Sequence, residues 1–387
     1  MRKIFFDISS EKKIISIVED DRLVEYYEEE DIEHSIVGNI YRAKVERVLP
    51  SMNAAFVNIG EAKNAYLSFE EIPQIDYNSK HHRIKSGDTV LVQVIKDQIG
   101  SKGAKVTMKL TLAGKYIVLC PFNSGISISK KVKNAERVNL EKIAKCIFSD
   151  DCGIILRTNA AKALEEDLLN EYRTLEALYT KILSELNYLP TPKLIYQTTS
   201  ITDRILRDYY NPNEDFIVVN DKDFYFDILN KSDDKNNSRE NIVLDLDFSS
   251  KHDPLITHEL YQAVSNKVAL KSGGYIVIDE LEALTAIDVN TGSLVNGKNY
   301  QEIVLKTNLE AAKEIAIQLR LRNIGGIIIV DFIDMSSKTD IDMLKNTLEE
   351  EFKKDKNNPI LVEVTKLNLY EIVREKTMIS LKNRIDI

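Results

Sequence analysis

Three residues carry the strongest chemical signal in this chain: Asp288 and Asn290 in LTAIDVN, and Asp331 in GGIIIVDFIDM. Side chains of an extended strand alternate between faces. Ile287 and Val289 therefore point one way, and Ala286, Asp288 and Asn290 the other. Asp331 follows four aliphatic residues, at the exit of a strand with central character. If the two strands are neighbours, Asp288 and Asp331 converge. Two carboxylates a few ångströms apart repel, and one takes up a proton unless a cation lies between them. A hard divalent ion such as Mg²⁺ prefers oxygen ligands and keeps several waters. It polarises a phosphodiester and lowers the pKa of bound water. Asn290 can then donate a hydrogen bond to a phosphate oxygen without adding repulsion. The competing reading is that each aspartate caps a turn or a helix start, and spacing alone slightly favours it. Asp279 is assigned to a hairpin turn and Asp334 to the entry of the next helix, so both are left out of the metal site.

The elements that must position these residues alternate helix and strand over 261–387. The pattern predicts a helix near 258–270, two strands across 274–290, a helix across 299–322, a strand at 327–333, a helix near 338–354 and a strand at 359–366. The long helix has an apolar stripe at Leu305, Leu309, Ala312, Ala316 and Leu319. A glycine C-cap is expected in the following NIGG. This is a layered α/β or α+β arrangement.

Residues 35–115 read as five short strands with turn signals between them, which fits a small OB-type barrel. Such barrels bind single-stranded nucleic acid through aromatic side chains with basic residues around them. Phe56 and Tyr66 sit in adjacent strands. Pattern alone favours both filling the barrel core. Residues 116–195 mix strands (KYIVLCP, CGIILRTNA) with a long helical stretch whose apolar face is Leu164, Leu168, Tyr172, Leu175 and Tyr179. Residues 1–34 form a small strand meander. In 196–260 a helix (TDRILRDYY) and short strands (FIVVN, FYFDILN) precede a polar loop, KSDDKNNSRENI.

At 387 residues the chain is long enough for two to four domains. No apolar run approaches the roughly 18 residues of a membrane span, and the N-terminus lacks a signal-like apolar stretch. These features place the chain in the cytoplasm, with no membrane partner. Three cysteines without a C-x-x-C pair and five unclustered histidines argue against a zinc site. His81-His82 reads as a solvated loop pair. The net charge of −9 argues weakly against nucleic-acid binding. Yet residues 101–145 hold ten Lys/Arg against two acids, a run that is more often just a solvated face.

GGYIVIDELEALTAIDVNTG, followed by KTNLEAAKEIAIQLRLRNIGGIIIVDFIDM, closely resembles the catalytic region of the ribonuclease E/G family. That resemblance implies an α+β multidomain fold. An S1-type OB barrel (35–115) and a 5′-monophosphate sensor region (116–199) are inserted into a split RNase H-like subdomain (1–34 and 200–260). A DNase I-like α/β catalytic subdomain (261–387) follows. It further implies an endoribonuclease that cuts single-stranded, A/U-rich RNA to 5′-phosphate and 3′-hydroxyl ends. By position, Asp288 and Asp331 match the Mg²⁺-holding aspartates, with Mn²⁺ as a substitute, and Asn290 the supporting asparagine. Arg157 and Thr158 in GIILRTNA match the 5′-phosphate pair. Phe56, Tyr66 and Lys102 match the RNA-holding residues of the barrel, with tyrosine in place of the more usual phenylalanine at 66. The chain is expected to be a short form lacking the C-terminal zinc-link element. Zinc is therefore not expected, and a homodimer is left open. Lysines stand at 130, 131 and 133 where arginine is common in the family, and the acidic stretch 222–246 matches it poorly. Two other classes remain in play on the residues alone: a non-catalytic S1-domain RNA-binding protein and a DNA-directed metallonuclease.

Overall fold

The structure is a computed structural model. It describes the chain except residues 10–11, 29–34, 74–83, 99–101, 149–152, 189, 213, 232–240, 293–299, 377–378 and 386–387. His81-His82 and most of the 231–242 polar loop lie outside the described residues. The chain divides into two compact units, Met1–Glu33 with Tyr210–Ile387, and His34–Tyr209.

The first unit begins with an antiparallel meander, β1 (Arg2–Ile8), β2 (Lys13–Glu19) and β3 (Arg22–Glu28). Asp20 and Asp21 both have positive φ, 48° and 58°. A two-residue hairpin turn needs that conformation, and aspartate tolerates it better than most residues.

The chain then builds the second unit. Five strands, β4 (Ile40–Leu49), β5 (Ala54–Asn58), β6 (Ala65–Ser68), β7 (Thr89–Lys96) and β8 (Lys105–Thr107), run in the order β4-β5-β6-β8-β7, and β7 pairs back onto β4. This is a closed, OB-like barrel. Its core includes Tyr41, Ala43, Val45, Val57, Leu67, Val92 and Val106. A four-stranded sheet follows, ordered β11-β12-β10-β9. Its strands are β9 (Leu112–Ala113), β10 (Ile117–Leu119), β11 (Ile126–Ile128) and β12 (Ile154–Leu156). Helix α1 (Asn134–Ile147) and helix α2 (Glu165–Ser184) pack on it. Strand β13 (Lys193–Tyr196) adds to the other edge of β4, and helix α3 (Ile201–Asp208) ends the unit.

Back in the first unit, β14 (Asp215–Val219) pairs in parallel with β1, and β15 (Ile242–Leu244) with β14. Helix α4 (Lys222–Lys231) lies between β14 and β15 in sequence, and helix α5 (Pro254–Val264) follows. The last sheet is ordered β16-β17-β18-β19-β21-β20. Its strands are β16 (Lys267–Ala269), β17 (Tyr275–Glu280), β18 (Thr285–Asn290), β19 (Gly326–Asp331), β20 (Ile360–Val364) and β21 (Leu369–Arg374). Helices α6 (Tyr300–Leu321) and α7 (Lys338–Phe352) supply the apolar residues that cover it. No helix among the described residues is long and apolar enough to cross a membrane.

Buried ion pairs join the two sheets' elements within this unit. Arg22 on β3 bonds Glu259 on α5 (2.6 Å) and Glu314 on α6 (2.7 Å). Arg320 on α6 bonds Glu19 (2.8 Å) and Glu25 (3.1 Å) on the meander. Burial alone would raise the Glu19 pKa, but Arg320 and then Arg2 override it and hold the carboxyl at about 2.

Several expectations change. FYFDILN is helical, not a strand. Asp221 accepts a hydrogen bond from the Phe224 backbone N–H at 2.7 Å, and Ile228 turns into the core, so start signal and packing outweigh aromatic β-propensity. Leu164 is 71% exposed and stands before α2, outside the apolar face that the spacing predicts. The residue with positive φ that ends α6 is Asn323 (50°), the usual stand-in for glycine there, while Gly326 (99°) opens β19. Helix α5 starts at Pro254, with Asp253 as its N-cap, and ends before 267–269 turns to strand. An extra strand, β21, lies between β19 and β20.

Candidate active site and RNA-binding face

The carboxylates meet at the centre of the last sheet. β18 and β19 are parallel neighbours, and Asp288 stands in register with Asp331. Adjacent strands are about 4.8 Å apart. Ile287, Val289, Ile328 and Val330 are buried beneath, while Asp288 and Asp331 are both exposed on the opposite face. The Asn290 side-chain amide donates to Asp288 Oδ2 at 2.6 Å, so Asn290 orients a carboxylate. Neither Asp331 oxygen accepts a hydrogen bond from a described residue, and neither aspartate caps a described turn or helix. Desolvation raises the Asp331 pKa, and the charges of Asp288 and Asp334 add to the rise.

Supporting residues fix the strand ends. Gly274, beside the Tyr275↔Asn290 pair, leaves no room for a side chain: a Cβ there would lie 2.5 Å from the Asn290 carbonyl oxygen. Asn308 on α6, fully buried, bonds both backbone groups of Ile333, two residues past Asp331 (2.8 and 3.1 Å). Asp279 lies within β17, opposite Ala286, and accepts from Asn266; the hairpin turn is 281–284. Asp334 accepts from Asn368, whereas Ser337 caps α7.

The donor set tests well for a hard cation. It is all oxygen, no described residue forms an ion pair with it, and the charges of Asp288 and Asp334 raise the cost of ionising Asp331. Among the described residues no group of three or more His, Cys, Asp or Glu forms a metal cluster. Two carboxylates with retained waters are the coordination Mg²⁺ takes where a phosphate supplies further ligands.

In the second unit, Phe56 and Tyr66 are register partners on β5 and β6. The sequence pattern favours the core for both. Instead Ala55, Val57, Ala65 and Leu67 fill it, and the two rings lie half-buried on the outer face, edge to face at 6.1 Å. Lys102 is exposed just before β8. At the end of β12, Arg157 donates to the Gly114 carbonyl (2.6 Å) and pairs with Asp208 (2.7 Å). Thr158 is exposed beside it. Arg207 grips the same carboxylate with two N–H groups (2.8 and 3.0 Å) and donates to the Ala113 carbonyl. Burial alone would raise the Asp208 pKa; Arg207 and Arg157 hold it at about 2.

A sequence profile of the ribonuclease E/G family matches residues 111–377. The chain is 32% identical to Ribonuclease G of Salmonella typhimurium (strain SL1344), over 98% of this chain and 81% of that protein. It is 33% identical to Ribonuclease G of Haemophilus influenzae, with the same coverage. The chain belongs to the ribonuclease E/G family. Ribonuclease E of Nostoc sp. is 33% identical over 94% of this chain and 56% of its own length. The family profile takes in the carboxylate strands and GIILRTNA, and the relatives extend the likeness across the barrel. Within this family member, sequence reasoning missed Asp208 and Asn308. Asn308 carried a signal, an amide inside an apolar helical stripe. Asp208 carried none, because its role depends on the meeting of α3 with the end of β12.

Proposed function

We propose that the chain cleaves single-stranded, A/U-rich RNA by Mg²⁺-assisted hydrolysis, with Mn²⁺ able to substitute, in cytoplasmic RNA processing and decay. As a member of its family it is an endoribonuclease. The observation that carries the finer reading is the in-register, exposed Asp288–Asp331 pair on parallel strands. Asp288 and Asp331 would hold the ion, and Asn290 fixes the Asp288 carboxylate by its hydrogen bond. Bound there, the ion supplies Lewis acidity toward the scissile phosphate and a more acidic attacking water. Water oxygen attacks phosphorus, the P–O3′ bond breaks, and the departing O3′ takes a proton, leaving 3′-hydroxyl and 5′-phosphate ends. Phe56, Tyr66 and Lys102 hold unpaired bases and backbone. Arg157 and Thr158 receive a 5′-monophosphate, a guanidinium fork and a hydroxyl being suited to phosphate oxygens. In this reading residues 35–115 are an S1-type domain and 116–199 the sensor. Residues 1–34 and 200–260 form a split RNase H-like subdomain, and 261–387 a DNase I-like one.

The test is cleavage of a 5′-monophosphorylated A/U-rich RNA oligomer with Mg²⁺, with and without EDTA, by wild type and by Asp288→Asn/Asp331→Asn. Loss of cleavage with retained RNA binding is expected. A double variant that still cuts overturns the metal assignment. A wild type that binds but never cuts with Mg²⁺ or Mn²⁺ favours a binding module, and faster cutting of a matched DNA oligomer favours a DNA-directed nuclease.

A further inference from the structure

Across the outer face of the barrel the register aligns one residue from each strand. Arg47 on β4 is opposite Phe56 on β5, Phe56 opposite Tyr66 on β6, Tyr66 opposite Lys105 on β8, and Lys105 opposite Lys96 on β7. From Arg47 to Lys105 the row crosses three strand intervals, about 14 Å. Two rings thus stand between cations on both sides.

Arg47 reaches this face by a backbone irregularity. Tyr41, Ala43 and Val45 alternate into the barrel core, and unbroken alternation would send Arg47 after them. The β4–β5 register instead shifts between Val45 and Arg47, with Glu46 as the extra residue. The bulge turns Arg47 outward, where it is exposed. It makes no hydrogen bond or ion pair with any described residue. Bulges re-aim side chains in this way beside functional sites. On the other flank Lys105 pairs loosely with Glu71, at 3.6 Å with both side chains partly exposed, and Lys96 is exposed next to it.

We propose that this row is a track for single-stranded nucleic acid running across the strands, with bases on Phe56 and Tyr66 and phosphates held by Arg47 on one flank and Lys105 on the other. The inference rests on the reading that the barrel holds RNA. It assigns to Arg47 a backbone-gripping role that its place in the strand pattern hides. Stacking on rings is largely insensitive to salt, whereas each phosphate contact contributes to the salt dependence of binding. The two roles are therefore separable.

The experiment is equilibrium binding of a 5′-hydroxyl, A/U-rich RNA oligomer in EDTA, which removes cleavage and the 5′-phosphate contact, across a range of salt. Arg47→Ala is expected to weaken binding about five- to tenfold and to reduce the slope of log K against log salt by ~0.7. Arg47→Lys should restore the slope, and Lys105→Ala should also lower it. Phe56→Ala should weaken binding at unchanged slope. If Phe56→Ala weakens binding while Arg47→Ala changes neither affinity nor slope, the track is wrong and the barrel's RNA-holding role stands. If Phe56→Ala and Tyr66→Ala also leave affinity intact, the underlying reading falls and the track with it.

Discussion

Asp208→Asn probes the sensor most directly, because Asp208 already occupies the guanidinium proposed to receive phosphate. Its carboxyl falls from an ordinary 3.8 to about 2. At ~1.4 kcal/mol per pKa unit, that corresponds to about 2 kcal/mol of folding free energy at neutral pH. Asp208 is 18% exposed, so solvent screening trims the figure only modestly. The folded pKa is the lower one, so this contribution is full above 3.8 and is lost as pH falls through about 2. Urea unfolding should show the variant about 1–2 kcal/mol less stable at pH 7, with the gap closing toward strongly acid pH. The functional effect has the opposite sign. A carboxylate about 6 Å from an incoming phosphate repels it by ~3 kcal/mol per charge at an effective dielectric constant near 20, before salt screening. After screening, about 1 kcal/mol is a reasonable residue, equivalent to roughly a fivefold gain. The assay is the ratio of kcat/KM for 5′-monophosphate and 5′-hydroxyl RNA. The variant should raise it about fivefold, and Arg157→Ala should bring it to about one. A ratio that falls or stays constant in Asp208→Asn refutes competition between Asp208 and the phosphate for Arg157.

Asp331 offers a trade between activity and stability. Its raised pKa means that its charge opposes folding at neutral pH, a penalty that fades as pH falls below the folded value. In EDTA, Asp331→Asn should melt higher than wild type, and it should lose the melting-temperature gain that Mg²⁺ gives wild type; equal gains in both would contradict the assignment. Arg320→Met leaves Glu19 with Arg2 alone and takes the ion pair from Glu25; it should cost about 3 kcal/mol at pH 7, the low end for breaking a buried pair. Because Glu19 titrates at about 2 in the fold rather than at 4.5, that cost should shrink by pH 3, and a pH-independent cost would speak against the pairing. Gly274→Ala pushes a methyl against the Asn290 carbonyl. It should cut cleavage at least tenfold with RNA affinity unchanged, and full activity would show that the strand end has slack.

The active-site pair was legible because period-two alternation puts Asp288 and Asn290 on one face, and because four aliphatic residues mark β19 as a buried strand ending in Asp331. What the pattern lacked was the register that sets Asp288 beside Asp331; it comes from long-range pairing, and the family resemblance bridged that gap. The pattern favours an inward place for the barrel rings because alternation alone does not say which face of a strand is core. Arg47 was invisible for a related reason, since a bulge inverts the alternation at that residue. FYFDILN misled because its aromatic content favours a strand locally, while a capping aspartate and the burial of Ile228 favour a helix. Tertiary packing decided each case.

The discontinuity of the first unit bears on how this protein is made. β1 can pair with β2 as soon as both have been synthesised, but its other edge is completed only by β14, since Arg2 pairs with Asp215. Residues 34–209 are contiguous and can fold meanwhile. Closing a loop that contains a folded body costs less chain entropy than closing one as long and flexible. The expected order is therefore insert first, meander waiting with its β1 edge unpaired, then the sheet completed from the C-terminal side. That open edge is a template for strands of other chains, so aggregation during synthesis should track how slowly the insert folds. Pulse-labelled hydrogen exchange during refolding would show it: amides of β4–β8 should gain protection before those of β14, and the reverse order would refute the scheme.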